Sequence, residues 1–187
     1  MKTTKADPGL VRTYWVSLRQ LASAPVQFFT LAADERTEAD ARVFARANGL
    51  LMAALFFTLE VITGGRVNWA LVLAAVLALA ILPFLMEWMA VLGAWFIVLA
   101  SRVLGETVDL KTTRKVLGFS TAGLLPLAFG GGWLSLLALW TVGLQTVGLE
   151  KGLPCSRFKA AVLVGFPFLL FLTLAFMAAI IFKTRVF

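Results

Sequence analysis

Glu87 is the single charged side chain among the thirty-two residues from Trp69 to Ala100. An ionised carboxylate inside hydrocarbon costs at least a few kcal/mol, so an acid in such a stretch marks either a proton or cation site or a wet turn. Trp69 and Arg102 bracket it nearly symmetrically, which places Glu87 near the midplane of a single crossing. No Lys or Arg inside an apolar stretch is expected to reach it. Pro83 lies one turn earlier and frees the carbonyl of Leu79. Two readings stay open: a functional acid in a helix bundle, or an idle carboxylate in a re-entrant or interfacial turn. The other intramembrane polar candidates are Asn48 and Glu60 in an earlier apolar stretch and Gln145 and Thr146, one turn after Thr141, in a later one. Arg66 follows Glu60 across a tight Thr63-Gly64-Gly65 turn and is placed to neutralise it. Gln145 and Thr146 suit hydrogen bonds that hold helices together.

The rest of the chemistry is set by what the chain lacks. It has no His and one Cys, Cys155, beside Pro154 in a polar loop. A disulfide framework, a thiolate metal cluster and imidazole catalysis are therefore excluded. No His-Glu metal motif occurs, and no Ser or Asp pair sits in facing apolar stretches. The expectation is a non-enzymatic protein with no metal and no cofactor. With 60% hydrophobic and 14% charged residues and a mean hydropathy of +0.91, the excess apolar surface must face lipid. The net charge of +7 is spread over short segments flanking the apolar stretches. That distribution favours anionic lipid headgroups over nucleic acid.

These residues require an all-α integral membrane protein. Residues 1–42 read as a cytoplasmic leader without a cleavable signal, containing an amphipathic helix over 10–22. Leu10, Val11, Tyr14, Trp15, Leu18 and Leu21 fall on one arc of it, and Arg12 and Arg19 fall opposite. Such a helix lies in the membrane interface, with Trp15 and Leu18 immersed and the arginines toward phosphates. Pro25 ends it, 26–31 is a short apolar patch, and residues 34–40 form an acidic turn in which Thr37 and Asp40 can cap the next helix.

Spans are expected at about 43–62, 69–101, 116–129, 133–149 and 158–182, with residues 43–187 forming one bundle. Crossing 69–101 only once keeps both later basic loops, around Lys111 and around Arg157, on the leader's side, as the positive-inside rule requires. Pro83 lets this long helix kink or detour, and Pro126 and Pro167 are further kink positions. The amino terminus is then cytoplasmic and the carboxyl terminus outside.

Short pieces repeat a known order. Arg102-Val103-Leu104-Gly105 follows the second span, and Val116-Leu117-Gly118-Phe119-Ser120 leads to Leu125-Pro126 in the third. Trp140 with Gly143-Leu144 and Gly148-Leu149 occupies the fourth, and Lys159-Ala160-Ala161 opens the fifth. Over residues 43–182 the chain resembles the Yip1 family. Phe119 stands where the family usually has Tyr, and the long acidic leader of eukaryotic members, which bind Rab-type GTPases in vesicle traffic, is missing. The resemblance is thus to the bacterial branch and implies five spans in an inner membrane. The expected partners are membrane lipids, with other membrane proteins or further copies of the chain as candidates. A small transporter or channel subunit using Glu87 is the alternative.

Overall fold

A computed structural model describes residues 10–64, 67–129 and 134–166, and among these it is helical with no strand. Helix α1 spans Leu10–Ser23, close to the expected 10–22. Helix α2 spans Pro25–Glu35, where a patch and an acidic turn were expected. Pro25 does not only end α1. It occupies the first turn of α2, where its missing N–H leaves no hydrogen bond unmade and its fixed φ suits the helix.

Helix α3, Glu38–Gly64, begins five residues before the expected span because its cap forms as the sequence suggests. Thr37 Oγ1 accepts from the Asp40 N–H at 3.1 Å, and Asp40 Oδ2 accepts from the Thr37 N–H at 2.8 Å. Helix α4, Trp69–Val103, is one uninterrupted element of 35 residues with Pro83 inside it and no re-entrant detour. Asn68 Oδ1 caps its start by accepting from the Leu71 N–H at 2.8 Å, and Gly105, at φ 71°, turns the chain away after its end.

The third expected span, 116–129, is not one helix. Asp109 caps an earlier start by accepting from the Thr112 N–H at 2.8 Å, so α5 runs Leu110–Ser120 through what reads as a basic loop. At Thr121 the backbone tightens into a 3-10 helix, Thr121–Phe129, containing Pro126. Two observations account for the change. The hydroxyls of Ser120 and Thr121 donate to the carbonyls of Val116 and Gly118 at 2.8 and 2.7 Å, and Pro126 has no N–H to continue an α-helical ladder. Helix α6 spans Leu134–Gly152, and α7 occupies 157–166. Pro167 and the rest of the expected span 158–182 lie outside the described residues.

Helices α3 and α4 form an antiparallel hairpin that is tightest at Gly49. A Cβ there would stand 2.6 Å from Leu82 O and from Pro83 Cα, so backbone meets backbone as small residues permit in apolar surroundings. Helix α5 lies along the first half of α3, with Gly118 against Ala41, and α6 runs back along α5. Rings tie the short helices to this frame. Tyr14 of α1 packs on Phe44 of α3, Phe44 on Phe119 of α5, and Phe119 edge-on to Phe28 of α2, with centroids 5.1–5.2 Å apart.

The second half of α3 and most of α4 are left uncovered. Phe56, Ile62, Leu73, Val76, Ile81 and Phe84 are all exposed. Both helices are long and apolar enough to cross a membrane.

Candidate functional site

Helix α1 does not present its whole apolar arc in one direction. Tyr14 and Leu18 are half-buried, and Ser17 and Leu21 are buried against the bundle. Val11 and Trp15 stay exposed, Trp15 at 53%. Arg12 and Arg19 are exposed as well and make no ion pair among the described residues. The helix is thus docked along one edge, with its tryptophan and arginines turned outward.

A chain of hydrogen bonds fixes that docking. The Tyr14 hydroxyl donates to Asn48 Oδ1 at 2.6 Å. Asn48 Nδ2 donates to Thr121 Oγ1 at 2.8 Å, and Thr121 Oγ1 donates to the Gly118 carbonyl. Asn48 is fully buried and joins α1, α3 and the 3-10 helix. Burial pushes the Tyr14 phenol up to about 12, because the charged phenolate would lose its hydration. Sequence reasoning singled out Asn48 but missed both partners. The signal present was a lone tyrosine on an amphipathic helix, whose hydroxyl needs a partner once its ring is buried.

Glu87 belongs to a second cluster, and here the structure corrects an expectation. Arg46 Nε lies 2.6 Å from Glu87 Oε2, and Arg42 Nε lies 3.9 Å from Oε1. Arg42 also pairs with Glu38 at 2.6 Å, and Arg114 reaches the same Glu38 oxygen at 3.3 Å. These two guanidinium groups hold the Glu38 carboxyl below the usual carboxylate range. Arg46 also lies over the Phe84 ring and Arg114 over Trp95, at 5.3 and 6.0 Å. A basic partner does therefore reach Glu87. The physical reason is the hairpin: Arg46 and Glu87 lie equally far in sequence from the turn between α3 and α4, and an antiparallel pair brings such positions level.

The remaining candidates fall elsewhere. Pro83 is buried at the α3–α4 crossing. Glu60 is exposed, and Arg66 lies outside the described residues. Gln145 is half-buried, and the Thr146 hydroxyl donates to the Val142 carbonyl of its own helix at 2.8 Å. Thr141 is buried, and its hydroxyl has no partner among the described residues. Cys155 is half-buried and its thiol is pushed up, first by burial and then by the nearby carboxylates of Glu106 and Glu150. Asn48 and Glu87 thus sit in separate networks, and the described polar candidates share no cavity.

An open groove of about 680 Å³ lies between α1 and α3. Arg36, Asp40 and Arg46 stand at one end, and Leu50, Ala54 and Leu79 line the other. Comparison with known families, curated proteins and solved structures finds no match for the chain.

Proposed function

We propose that this chain is a five-span integral membrane protein of the Yip1 type, set in a bacterial inner membrane with its amino terminus cytoplasmic. In this reading it is not an enzyme. It works by contact, through α1 on anionic lipid and through its bundle on partner membrane proteins or further copies of itself.

The observation that supports the reading is the height of the Arg42–Arg46–Glu87 cluster on the α3–α4 hairpin. At 1.5 Å per residue, α4 rises about 27 Å from Trp69 to Glu87, and α3 rises about the same from Arg46 to Gly64. A hydrocarbon core is about 30 Å thick. The Arg42–Arg46–Glu87 cluster therefore falls at its cytoplasmic boundary and not at its midplane, where half-exposed arginines can reach headgroups. Helix α1 is docked at this same level, through Tyr14 to Asn48, with Trp15 and Arg12 facing outward. Exposed Trp88 and Trp95 then occupy the headgroup layer, where aromatic side chains gather.

A transporter reading needs the intramembrane polar groups to line one path. Asn48 is occupied by Tyr14 and Thr121, Glu87 by Arg46, and Thr146 by its own backbone, which leaves contact as the better supported function.

Cysteine accessibility in sealed inverted vesicles tests the placement, on a background with Cys155 replaced by Ala. Lys111→Cys and Arg157→Cys should react with an impermeant thiol reagent from the cytoplasmic side, and Gly64→Cys only from the other. Reaction of Lys111→Cys and Gly64→Cys from one side would overturn the topology.

A further inference from the structure

We propose that the groove between α1 and α3 holds one acyl chain of an anionic glycerophospholipid, with its phosphodiester against Arg36 and Arg46. This rests on the membrane placement above and adds a defined lipid site to it.

The groove is built like an amphiphile. Its floor along α3 is Val43, Ala47, Leu50, Leu51 and Ala54, closed at the far end by Leu79 of α4. Val43 to Ala54 spans about 16 Å at 1.5 Å per residue, and one leaflet's share of a 30 Å hydrocarbon core is about 15 Å. The depth of the groove is therefore that of one leaflet, and it starts at the level of the arginines. Its volume, about 680 Å³, lies in the range of sites that enclose small-molecule ligands.

Charge selects the same occupant. Arg36 makes no ion pair among the described residues, and Arg46 uses Nε on Glu87 while its side chain remains about half exposed. Asp40 also lies at this end, but its Oδ2 is taken up by the N–H and hydroxyl of Thr37. Neutral donors leave the Asp40 charge in place, so the charged residues lining this end, Arg36, Asp40 and Arg46, sum to one positive charge, and guanidinium groups match phosphodiester oxygens in shape and hydrogen bonding. The apolar floor disfavours an extended peptide, whose backbone groups would be buried there without partners. An acyl chain has no such groups.

The test uses the full-length protein in nanodiscs containing phosphatidylglycerol with a photoactivatable diazirine midway along one acyl chain. After irradiation, cross-linked residues are mapped by peptide mass spectrometry. The expected result is labelling concentrated at Leu50, Leu51 and Ala54, above the general labelling of exposed α4 residues such as Leu73 and Val76. Arg36→Gln should lower groove labelling about tenfold, the effect of losing one charge-assisted hydrogen bond. Ala54→Trp, which fills the floor, should remove it. In both variants the Tyr14 phenol should still titrate as in the wild type, showing that α1 remains docked. Labelling that is uniform over α3 and α4, or unchanged in both variants, means surrounding lipid only and overturns the site. Cross-links joining the groove to residues 1–9 or to a second copy would also overturn it. Absence of labelling on α4 as well would instead overturn the membrane placement.

Discussion

Replacing Asn48 with Ala tests whether one buried amide holds α1 on the bundle, and the chain carries its own probe. Tyr14 is its single tyrosine, so the rise of phenolate absorbance with pH reports one site. Docked, the phenol is pushed up to about 12 from its ordinary 10.0. At pH 11 the wild type should be only about one-tenth ionised, whereas a released α1 should be about nine-tenths ionised. Asn48→Ala removes the acceptor for Tyr14 and the donor to Thr121. Stranding a buried polar group costs about 1–3 kcal/mol, and a cavity adds to this. A fourteen-residue helix has little stability of its own to offset such a loss. The variant should therefore titrate near 10, and trypsin should cut faster after Arg12 and Arg19. The sign of the linkage is fixed by the upward shift. The contribution of docking is fully present below pH 10 and is lost as the pH rises through about 12. A wild-type titration near 10, or an Asn48→Ala variant that still titrates near 12, would refute the claim that this hydrogen bond docks α1.

Three further substitutions probe the hairpin. Gly49→Leu should lower the midpoint of thermal unfolding in detergent markedly, at a cost of about 1–3 kcal/mol or more, because a Cβ at 2.6 Å from the backbone of α4 forces the helices apart; an unchanged midpoint would mean the crossing is looser than described. Arg46→Leu should destabilise more than Glu87→Leu. The first leaves the more buried carboxylate, 15% exposed, with only Arg42 at 3.9 Å, while the second leaves a half-exposed guanidinium free to reach water or headgroups. The reverse order would place the pair in the bilayer interior.

Much of this architecture was legible because its signals are local. The bounds of α1 follow from the period of Leu10, Tyr14, Leu18 and Leu21, and the start of α3 from Thr37 and Asp40 at capping distance. The charge count favours one crossing over 69–101 with a kink or detour open at Pro83, and α4 is a single helix there. Errors arose where one residue type carries two meanings. Pro25 stops one helix and starts the next, and Asp109 caps a helix whose first turns are too basic to read as part of a span. The shift from α-helix to 3-10 at Thr121 had no clear sequence mark, since Ser120 and Thr121 act on carbonyls that only the folded backbone presents.

The missed basic partner of Glu87 is of a different kind, because the spacing that predicts it was present in the sequence. Measured between Trp69 and Arg102, the acid falls in the middle of an apolar run and reads either as a functional acid or as an idle carboxylate in a wet turn. Measured from the turn between α3 and α4, it falls level with Arg46, and its cost is largely met. In an antiparallel hairpin the second measure governs, because neighbouring helices share depth whatever their separate lengths. The same rule accounts for Asn48. It lies two residues further toward the turn than Arg46 and on a different face, so it turns away from Glu87 toward Tyr14 and Thr121. Two polar residues half a turn apart on α3 thus serve different ends. Arg46 pairs with Glu87 across the hairpin, and Asn48 holds α1 on the bundle, beside the groove where Arg36 and Arg46 stand together.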